Sequence, residues 1–393
     1  MNSRQKFLSV MRMNCSDYNN VAIPKVEFGY WAGTIRNWFS EGLTKKAEIP
    51  EKINDGSQIM GCKNIYLEME DLGDVNVSSY CNLDSNLSKF PANYSPMFKK
   101  TIIKKDEKYI VFKDEYGVIK KSVVGLKTIP MDIDNPVKGW DSWKKYKKHY
   151  TSDTIPLRLP PNWDKLKVEL KKRDFPIRVG AMPAGFFGFP RHIMGLTRFL
   201  LGLYDQPDLI QDICNTFLEF LLEYYSRIMS DIDIDCILLW EDMSGKQGSL
   251  ISPEQFKKFL APCYKTLIDF VKSKGIDIIL VDTDGYVEEL IPLMIETGVT
   301  GMYPFERACE NNLLRIRKKY PNFQMLGGID KRVLFKDSNL RKIQDELKLI
   351  RTLLETGRYI PHIDHFVSVD CTWPNFLYYR NNLNSLIDDL KNN

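Results

Sequence analysis

Short apolar runs alternate with longer amphipathic stretches from about residue 175 to the C-terminus. Apolar runs of this kind, bounded by turn-forming residues, predict β-strands. The predicted strands cover residues 177–182, 236–240, 276–281, 299–303 and 323–327, and a last one opens at Tyr359. Apolar residues recur at helical spacing between them, which predicts helices at 197–229, from about 252, and at 287–297, 313–319, 340–355 and 375–391. This alternation predicts parallel βαβ units.

The number of these units favours a closed barrel over an open sheet. Six units, together with an earlier apolar run at 21–26, bring the strand count close to eight. A doubly wound sheet should show a glycine-rich phosphate turn after its first strand, and the sequence has none. The prediction is an α/β protein, a single-domain (β/α)8 TIM barrel that spans residues 1–393.

Residues 45–150 differ from the rest of the chain, because they are polar and rich in Asp, Asn, Lys and β-forming residues. Within this region, residues 108–112 and 117–120 flank a turn and predict a β-hairpin. We therefore predict a β-rich N-terminal insertion in the barrel, without a hydrophobic core of its own.

Composition and charge exclude several functional classes. Of the 393 residues 44% are hydrophobic, and 55 basic residues nearly balance 51 acidic ones, which gives no electrostatic case for a nucleic-acid partner. No window approaches the roughly 18 apolar residues that a membrane span needs. The polar N-terminus lacks a secretory signal core, and the eight cysteines without a CxxC pair indicate reduced thiols. The expected location is the cytoplasm.

Acidic residues follow the predicted strands at the positions where a (β/α)8 barrel carries its active site. These residues, with one histidine, are Glu27, Glu241, Asp242, Asp282, Asp284, Glu306, Asp330 and His365. A helix N-cap explains any one of the acids, but caps are equally made by Ser, Thr or Asn, so capping explains the whole series poorly. Converging carboxylates repel one another, which predicts a metal, raised pKa values or a cationic ligand. The predicted catalytic residues are Glu241, Asp242 and Asp284, and the acids predicted to contact substrate are Glu27, Glu306 and Asp330.

Asp282 and Asp284 are two residues apart, so in a strand their side chains face the same side. Together with His365 they offer two oxygens and one nitrogen, a ligand set compatible with zinc or another divalent metal ion. Direct hydrogen bonding of the same side chains to substrate is the alternative, and a purely structural role is the third interpretation.

Aromatic and basic residues complete the predicted pocket. Arg191 follows an aromatic loop, an arrangement that suits a flat or carboxylated ligand, although a packed loop explains it equally well. Lys246 follows the Glu241–Asp242 pair and is predicted to bind a charged substrate group. The predicted aromatic walls, which would favour a quaternary ammonium, are Phe28, Trp31, Phe187 and Tyr303.

A set of motifs runs through nearly the whole chain. It consists of SRQKF at 3–7, EFGYW at 27–31, FGFPR at 187–191, WEDM at 240–243, LISP at 250–253, GGIDK at 327–331 and YIPHIDH at 359–365. As a group these motifs resemble the uroporphyrinogen decarboxylase superfamily, which also contains corrinoid- and cobalamin-dependent methyltransferases. The resemblance implies a (β/α)8 barrel, in agreement with the pattern of strands and helices.

Departures from the superfamily patterns point to one branch. The decarboxylase has an arginine-rich segment near its first strand for propionate groups, whereas residues 27–36 here are acidic and aromatic with one arginine. Uroporphyrinogen is therefore not the expected substrate. The thiol-methylating branch carries His-x-Cys and a later Cys on zinc, where this chain has Asp282, Asp284 and His365, and oxygen ligands make a less thiophilic site. Demethylating members, which pass a methyl group from a small donor to a corrinoid, are the best analogue.

The resemblance implies a methyltransferase that moves a methyl group between a small O- or N-methyl compound and a corrinoid protein. A metal ion on the three candidate ligands would polarise the leaving heteroatom, and Glu241 or Asp242 would position the substrate. The alternative is a metal-free decarboxylase, a lyase that acts on a carboxylated small molecule, with Asp284 or Asp242 as proton relay and Arg191 on the carboxylate. A non-catalytic ligand-binding barrel is the third hypothesis.

Overall fold

A computed structural model describes residues 1–13, 22–44, 53, 55–60, 77–124 and 130–390. Its strands are β1 (Gly29–Trp31), β2 (Gln58–Met60), β3 (Ser88–Lys89), β4 (Thr101–Lys105), β5 (Tyr109–Lys113), β6 (Ile119–Val123), β7 (Met131–Asp134), β8 (Ile177–Val179), β9 (Cys236–Trp240), β10 (Ser244–Gly245), β11 (Gly248–Ser249), β12 (Ile279–Asp282), β13 (Gly301–Tyr303), β14 (Gln324–Leu326) and β15 (Tyr359–Ile360).

The α-helices of the described residues are α1 (Ser3–Arg12), α2 (Ala32–Ser40), α3 (Val77–Tyr80), α4 (Trp140–Tyr146), α5 (Trp163–Lys171), α6 (Gly188–Met194), α7 (Leu196–Asp205), α8 (Pro207–Met229), α9 (Pro253–Gln255), α10 (Ala261–Ser273), α11 (Ile291–Thr297), α12 (Leu313–Lys319), α13 (Leu340–Leu354) and α14 (Trp373–Asp389). Short 3-10 helices lie at Lys147–His149, Ser152–Thr154, Pro156–Arg158, Arg307–Cys309 and Lys331–Leu334, and the π-helix Phe256–Leu260 joins α9 to α10.

The central sheet contains seven parallel strands of the described residues, in the order β3, β8, β9, β12, β13, β14 and β15. In its middle, β12 pairs with β9 on one side and β13 on the other, so Asp282 lies level with both Trp240 and Tyr303. The strands are apolar almost throughout, as CILLW in β9 shows, because a parallel sheet is covered on both faces. The predicted parallel α/β sheet is confirmed, with seven hydrogen-bonded strands rather than eight in this part of the chain.

Amphipathic helices cover the sheet largely where the apolar spacing predicts them. α13, for example, begins after Asn339, whose side chain accepts a hydrogen bond from the Lys342 N–H. The single helix predicted at 197–229 is wrong, because α7 ends at Asp205 and α8 begins at Pro207. Proline has no N–H to continue a helix but fits the first turn of a new one. The helix predicted at 287–297 forms only over α11, again with a proline in its first turn.

A second sheet, antiparallel, consists of β4, β5, β6 and β7 in that order. The predicted hairpin forms its β5 and β6, with Val111 opposite Lys121. This sheet lies in the region that the sequence predicts to be an insertion. Residues 45–52, 54, 61–76 and 125–129 of that region lie outside the described residues, so the insertion and its bounds stay a prediction.

The described helices and cysteines bear on two expectations from composition. No helix in the described ranges is long and apolar enough to cross a membrane. The six cysteines in those ranges are buried and form no disulfide, as expected for reduced thiols.

The extended segment 22–28 contacts residues next to both edge strands of the parallel sheet. On the β3 side, the Asp84 N–H donates to the Lys25 carbonyl oxygen at 2.7 Å. On the β15 side, the Ile363 N–H donates to Glu27 Oε2 at 3.2 Å. The strand predicted at 21–26 does not form over its described residues 22–26. Hydrogen bonds to the Lys25 carbonyl group and the Glu27 side chain hold this segment at the position where the sequence predicted a strand.

Glu27 and Arg380 form a fully buried ion pair, with 2.7 Å between Oε1 and Nη1. The Tyr379 hydroxyl also donates to Glu27 Oε1 at 2.7 Å, and Arg380 Nη1 donates to the Val26 carbonyl oxygen at 3.1 Å. These contacts join the N-terminal segment to α14. Removing one partner of such a pair leaves an uncompensated charge in the interior.

We expect Glu27→Ala to lower the free energy of unfolding by roughly 3–5 kcal/mol, because Arg380 would stay buried without its carboxylate. As a control, Asp277→Ala removes the partner of Arg12, in a pair whose side chains are 45% and 56% exposed. That change should lower the free energy of unfolding by about 1 kcal/mol or less. Urea denaturation followed by circular dichroism measures both effects. Two small and equal effects would contradict the anchoring role of the Glu27–Arg380 pair.

Candidate active site

A cavity of about 920 Å³ opens where the central parallel strands end. Trp240, Asp282 and Tyr303, the last residues of β9, β12 and β13, all line it. The loops after these strands add Asp242 and Asp284 to the same space. Parallel strands place their carboxyl ends at one edge of the sheet, which is why residues far apart in sequence meet here. A cavity of this size accommodates a small organic ligand.

One wall of the cavity contains three carboxyl groups and one imidazole. They belong to Asp242, Asp282, Asp284 and His365. His365 Nε2 lies 3.5 Å from Asp284 Oδ2. Burial alone would lower the pKa of His365, but the Asp284 carboxylate outweighs that effect and raises it. The protonated form of the histidine is therefore favoured beside Asp284, and its charge offsets part of the repulsion among the carboxylates.

Asp282 is the carboxyl group of this wall with the most perturbed acidity. Burial in the cavity and the nearby charge of Asp284 raise the pKa of Asp282 to about 7. The Arg178 guanidinium acts in the opposite direction but does not compensate. The same carboxylate contributes, after burial, to raising the pKa of Tyr303. At neutral pH Asp282 is thus poised to donate or accept a proton.

Arg191 and Asp242 face each other at the cavity wall. Arg191 Nη1 donates to Asp242 Oδ2 at 2.6 Å and to the Asp242 carbonyl oxygen at 2.7 Å. The guanidinium also lies over the Trp240 ring, 5.5 Å from its centroid. Asp242 has a φ of 50°, in the left-handed region that non-glycine residues seldom adopt. The two hydrogen bonds to Arg191 help to hold this conformation.

Aromatic side chains form a further wall of the cavity. Phe28 lies 5.8 Å from Tyr303 and 5.6 Å from His365, measured between ring centroids. Trp31 packs against Phe366 at 5.0 Å, and both line the cavity. Such rings give the ligand an apolar surface and a negative π face next to the carboxylates.

The positions of the three predicted metal ligands bear on whether they can hold an ion together. Asp282, Asp284 and His365 all line the cavity, and Asp284 and His365 are within contact. No group of three or more His, Cys, Asp or Glu side chains in the described ranges is arranged to hold a metal ion. The three side chains do not fit a metal as they stand. The metal set stays a prediction, and no step below is derived through a metal ion.

Glu241, a predicted catalytic residue, is fully buried and does not line the cavity. Its two oxygens accept N–H donors of residues 186–188 at 2.7–2.9 Å and the hydroxyl of Tyr264. Burial raises the pKa of Glu241, although these donors oppose the shift. Its position makes it an anchor of the loop before α6, so the catalytic prediction does not match where the side chain lies.

The remaining predicted substrate contacts outside the cavity lining are buried Glu27 and Phe187, half-buried Glu306 and Asp330, and exposed Lys246. Glu27 belongs to the buried ion pair described above. Glu306 Oε2 accepts the Gly285 N–H at 3.0 Å and so fixes the turn after β12. Asp330 pairs with Arg332, with 2.7 Å between Oδ2 and Nη2. The prediction of direct substrate contact does not match these positions.

Sequence reasoning identified Arg191 but missed other basic residues of the cavity. Arg178 in β8, Lys89 in β3 and Lys120 in β6 all line it. For Arg178 there was a signal, since it is a charge inside the apolar run of a strand that is otherwise buried. Nothing in the sequence pattern could have placed Lys89 or Lys120 beside it.

Comparison with known proteins shows one matching family and a few solved structures of low sequence identity. The sequence matches the family model described as uroporphyrinogen decarboxylase (URO-D) over residues 132–375. No curated protein matches it. Among solved structures, a methyltransferase from Methanosarcina mazei is 13% identical, with a TM-score of 0.57 and 99% of each chain covered.

Two further solved structures are methionine synthases. The putative vitamin-B12 independent enzyme from Listeria monocytogenes is 11% identical, with 56% of this chain and 65% of that chain covered and a TM-score of 0.31. The B12-independent enzyme from a Shewanella species is 10% identical, with 85% and 92% covered and a TM-score of 0.36. The TM-scores of these two structures are too low for an inference. The Methanosarcina structure, with its higher TM-score, shows a shared fold.

We expect Asp284→Asn to lower the pKa of Asp282 from about 7, because the like charge that adds to the effect of burial is removed. The control Asp242→Asn should lower it less, since Asp242 raises that pKa less than Asp284 does. Carboxyl ¹³C NMR titration of aspartate-labelled protein measures the pKa of Asp282 in the wild type and in both variants. The Asp282 resonance is identified as the one that is lost in Asp282→Asn. An unchanged Asp282 titration in Asp284→Asn would rule out the coupling between the two carboxyl groups.

Proposed function

The chain belongs to the uroporphyrinogen decarboxylase (URO-D) family, and we propose that it is a methyltransferase that moves a methyl group between a small O- or N-methyl compound and a corrinoid protein. The observation that carries the proposal is a protonatable Asp282 in an aromatic-walled cavity at the strand ends. The fold shared with a methyltransferase over 99% of both chains supports it. The family itself consists of enzymes, which favours catalysis over simple ligand binding.

The proposal includes a closed (β/α)8 barrel. The seven parallel strands leave two edges, at β3 and β15, and segment 22–28 contacts residues beside both. Tyr30, just after this segment, also forms a parallel bridge to Val367. In a closed barrel the segment takes the place of one strand, and the cavity becomes its C-terminal mouth.

Asp282 supplies the proton that the reaction needs. An alkoxide or an amide anion is a poor leaving group, so an ether oxygen or an uncharged nitrogen that loses its methyl group must be protonated as the bond breaks. The C–O or C–N bond breaks, its electron pair stays on the heteroatom, and the Asp282 carboxyl proton moves to that pair. A quaternary ammonium leaves as a neutral amine and needs no proton. A carboxyl group with a pKa of about 7 is protonated in a large fraction of molecules at neutral pH, whereas an ordinary aspartate is not.

The other cavity residues bind and orient the donor. Phe28, Trp31 and Tyr303 offer an apolar surface that excludes water from the methyl group and favours a methylated ammonium by cation–π contact. The Asp284–His365 pair lies beside the proton donor, and Asp284 adds to the effect of burial in raising the pKa of Asp282. When bound, a corrinoid presented by a partner protein would supply the electron pair that receives the methyl group.

The decarboxylase alternative is favoured by one specific observation. Arg178 and Arg191 both line the cavity that contains Asp282, and a lyase needs a cation for the departing carboxylate and an acid to protonate the carbanion. The two functions give different products from the same compound. Methyl transfer leaves a demethylated acid and a methylated acceptor, whereas decarboxylation releases carbon dioxide and keeps the methyl group.

We expect Asp282→Asn to reduce methyl transfer from O-methyl compounds by roughly 10²- to 10⁴-fold, because an amide cannot donate the proton. In the wild type the rate should fall as pH rises through about 7, where Asp282 loses its proton. Asp284→Asn should move this fall to lower pH, since it lowers the pKa of Asp282. The measurement follows the spectrum of free cob(I)alamin, used as acceptor, with a panel of O- and N-methyl compounds at several pH values.

A structural control separates chemistry from folding. Asp277→Ala changes an exposed pair that precedes β12, at the other end of this strand from Asp282, and should keep the wild-type rate and pH profile. Near-wild-type transfer in folded Asp282→Asn would contradict the proton-donor role. Release of carbon dioxide without methyl transfer across the panel would establish the lyase instead.

A further inference from the structure

Arg178 is a buried cation whose charge acts on the nearby Asp282 but is not paired with it. It is 7% exposed, and its Nη1 donates to the Gly180 carbonyl oxygen at 2.5 Å. It forms no ion pair with any carboxylate of the described residues. A charge in the protein interior is expensive unless it is paired and hydrogen-bonded. The remaining N–H groups of this guanidinium are therefore available to a ligand.

Other buried arginines of the chain show what compensation looks like. Arg173 pairs with Asp235, with 3.0 Å between Nη2 and Oδ2, and Arg380 pairs with Glu27 as described above. Arg158 lies over the Phe220 ring, 4.6 Å from its centroid, and also donates to backbone carbonyl groups. Arg178 has neither a carboxylate nor a ring in this role. Arg317, also buried, donates to the backbone carbonyl oxygens of Pro321, Phe323 and Arg358. Among the buried arginines of the described residues, Arg178 is thus distinguished by a single protein hydrogen bond and by its place in the lining of the cavity.

The position of Arg178 in the cavity defines a subsite. Lys89 is its register partner on β3, and both side chains line the cavity, so positive charge collects on this wall. The bond to Gly180 shows that the guanidinium reaches along β8 toward the end of the strand. Asp282 lies two strands away, on β12, and lines the same cavity. A ligand that contacts both residues meets a cation and a proton donor.

We propose that Arg178 binds the carboxylate of the substrate, so that the compound acted on is a small methylated organic acid whose reacting heteroatom lies against Asp282. This inference rests on the function proposed above for the same cavity. A guanidinium presents parallel N–H groups that match the two oxygens of a carboxylate. A phosphate dianion fits less well, because the cavity also holds Asp242 and Asp284, which repel a second negative charge.

Matched pairs of ligands test the subsite without any turnover. The probes are 4-methoxybenzoate with 4-methoxybenzamide, and trimethylammonioacetate with its amide, each pair nearly equal in shape and different in charge. Isothermal titration calorimetry and thermal melting of the full chain measure binding. We expect at least one acid to bind the wild type about tenfold or more tightly than its amide. Arg178→Met should abolish this preference, and Arg178→Lys should restore part of it.

Arg198→Met is the matched control, since Arg198 also lines the cavity but donates to the carbonyl oxygens of Met194 and Val137. It should keep the preference for the acid. The wild-type comparison of acid with amide stands even where Arg178→Met fails to fold. Equal binding of every acid and its amide, no binding by any acid, or an acid preference that survives in Arg178→Met would overturn the subsite. Preference for inorganic phosphate over the acids would do so as well.

The outcomes separate this inference from the proposed function. An acid preference that depends on Arg178, without methyl transfer to cob(I)alamin, supports the carboxylate subsite and contradicts the proposed methyltransferase activity. Methyl transfer from neutral donors, at rates that Arg178→Met leaves unchanged, supports the methyltransferase activity and contradicts the carboxylate subsite.

Discussion

The in-register parallel pairing of β9, β12 and β13 is the constraint on which the site depends. It holds Trp240, Asp282 and Tyr303 at one level of the sheet, although these residues are about 20 to 60 positions apart in sequence. A shift of one residue in β12 would turn Asp282 to the opposite face, because side chains alternate along a strand. The apolar residues of these strands are buried on both faces, so a shifted register would also expose or misplace them. Packing of the core thus fixes the position of the proton donor.

Clustering of like charges is the second determinant of the chemistry. Asp242, Asp282 and Asp284 share one cavity, and the molecule lowers their mutual repulsion in different ways. Asp242 is paired with Arg191, and Asp284 is close to His365. Asp282 has no such close partner and responds instead by a raised pKa. Protonation is the remaining way to remove a charge that neither solvent nor a cation compensates. The acid that the reaction requires is therefore a consequence of how its neighbours are paired.

The contrast between Glu241 and Asp242 shows what the sequence could and could not predict. The strands, their parallel order and the acidic residues that follow them were predictable from apolar runs and from the rule that barrel sites lie at strand ends. Which of two consecutive acids faces the cavity was not, since it depends on the path of the chain after β9. Glu241 turns inward to three backbone N–H groups, and Asp242, with its left-handed φ, turns to the cavity. Arg178 was missed because a strand interior is normally a place for apolar packing.

The residues that line the cavity come from two parts of the chain. Asp282, Asp284 and His365 lie within residues 132–375, which match the family model, whereas Lys89 and Lys120 lie before them. Lys120 is held by Asp114 and Asp132 at 3.2 and 3.6 Å and belongs to the antiparallel sheet. The acidic residues and Arg178 thus lie in the part that the chain shares with its family, and residues before that part add further positive charge to the same cavity. Because β3 and β6 do not pair with β9, β12 or β13, Lys89 and Lys120 can change without altering the register that positions the proton donor.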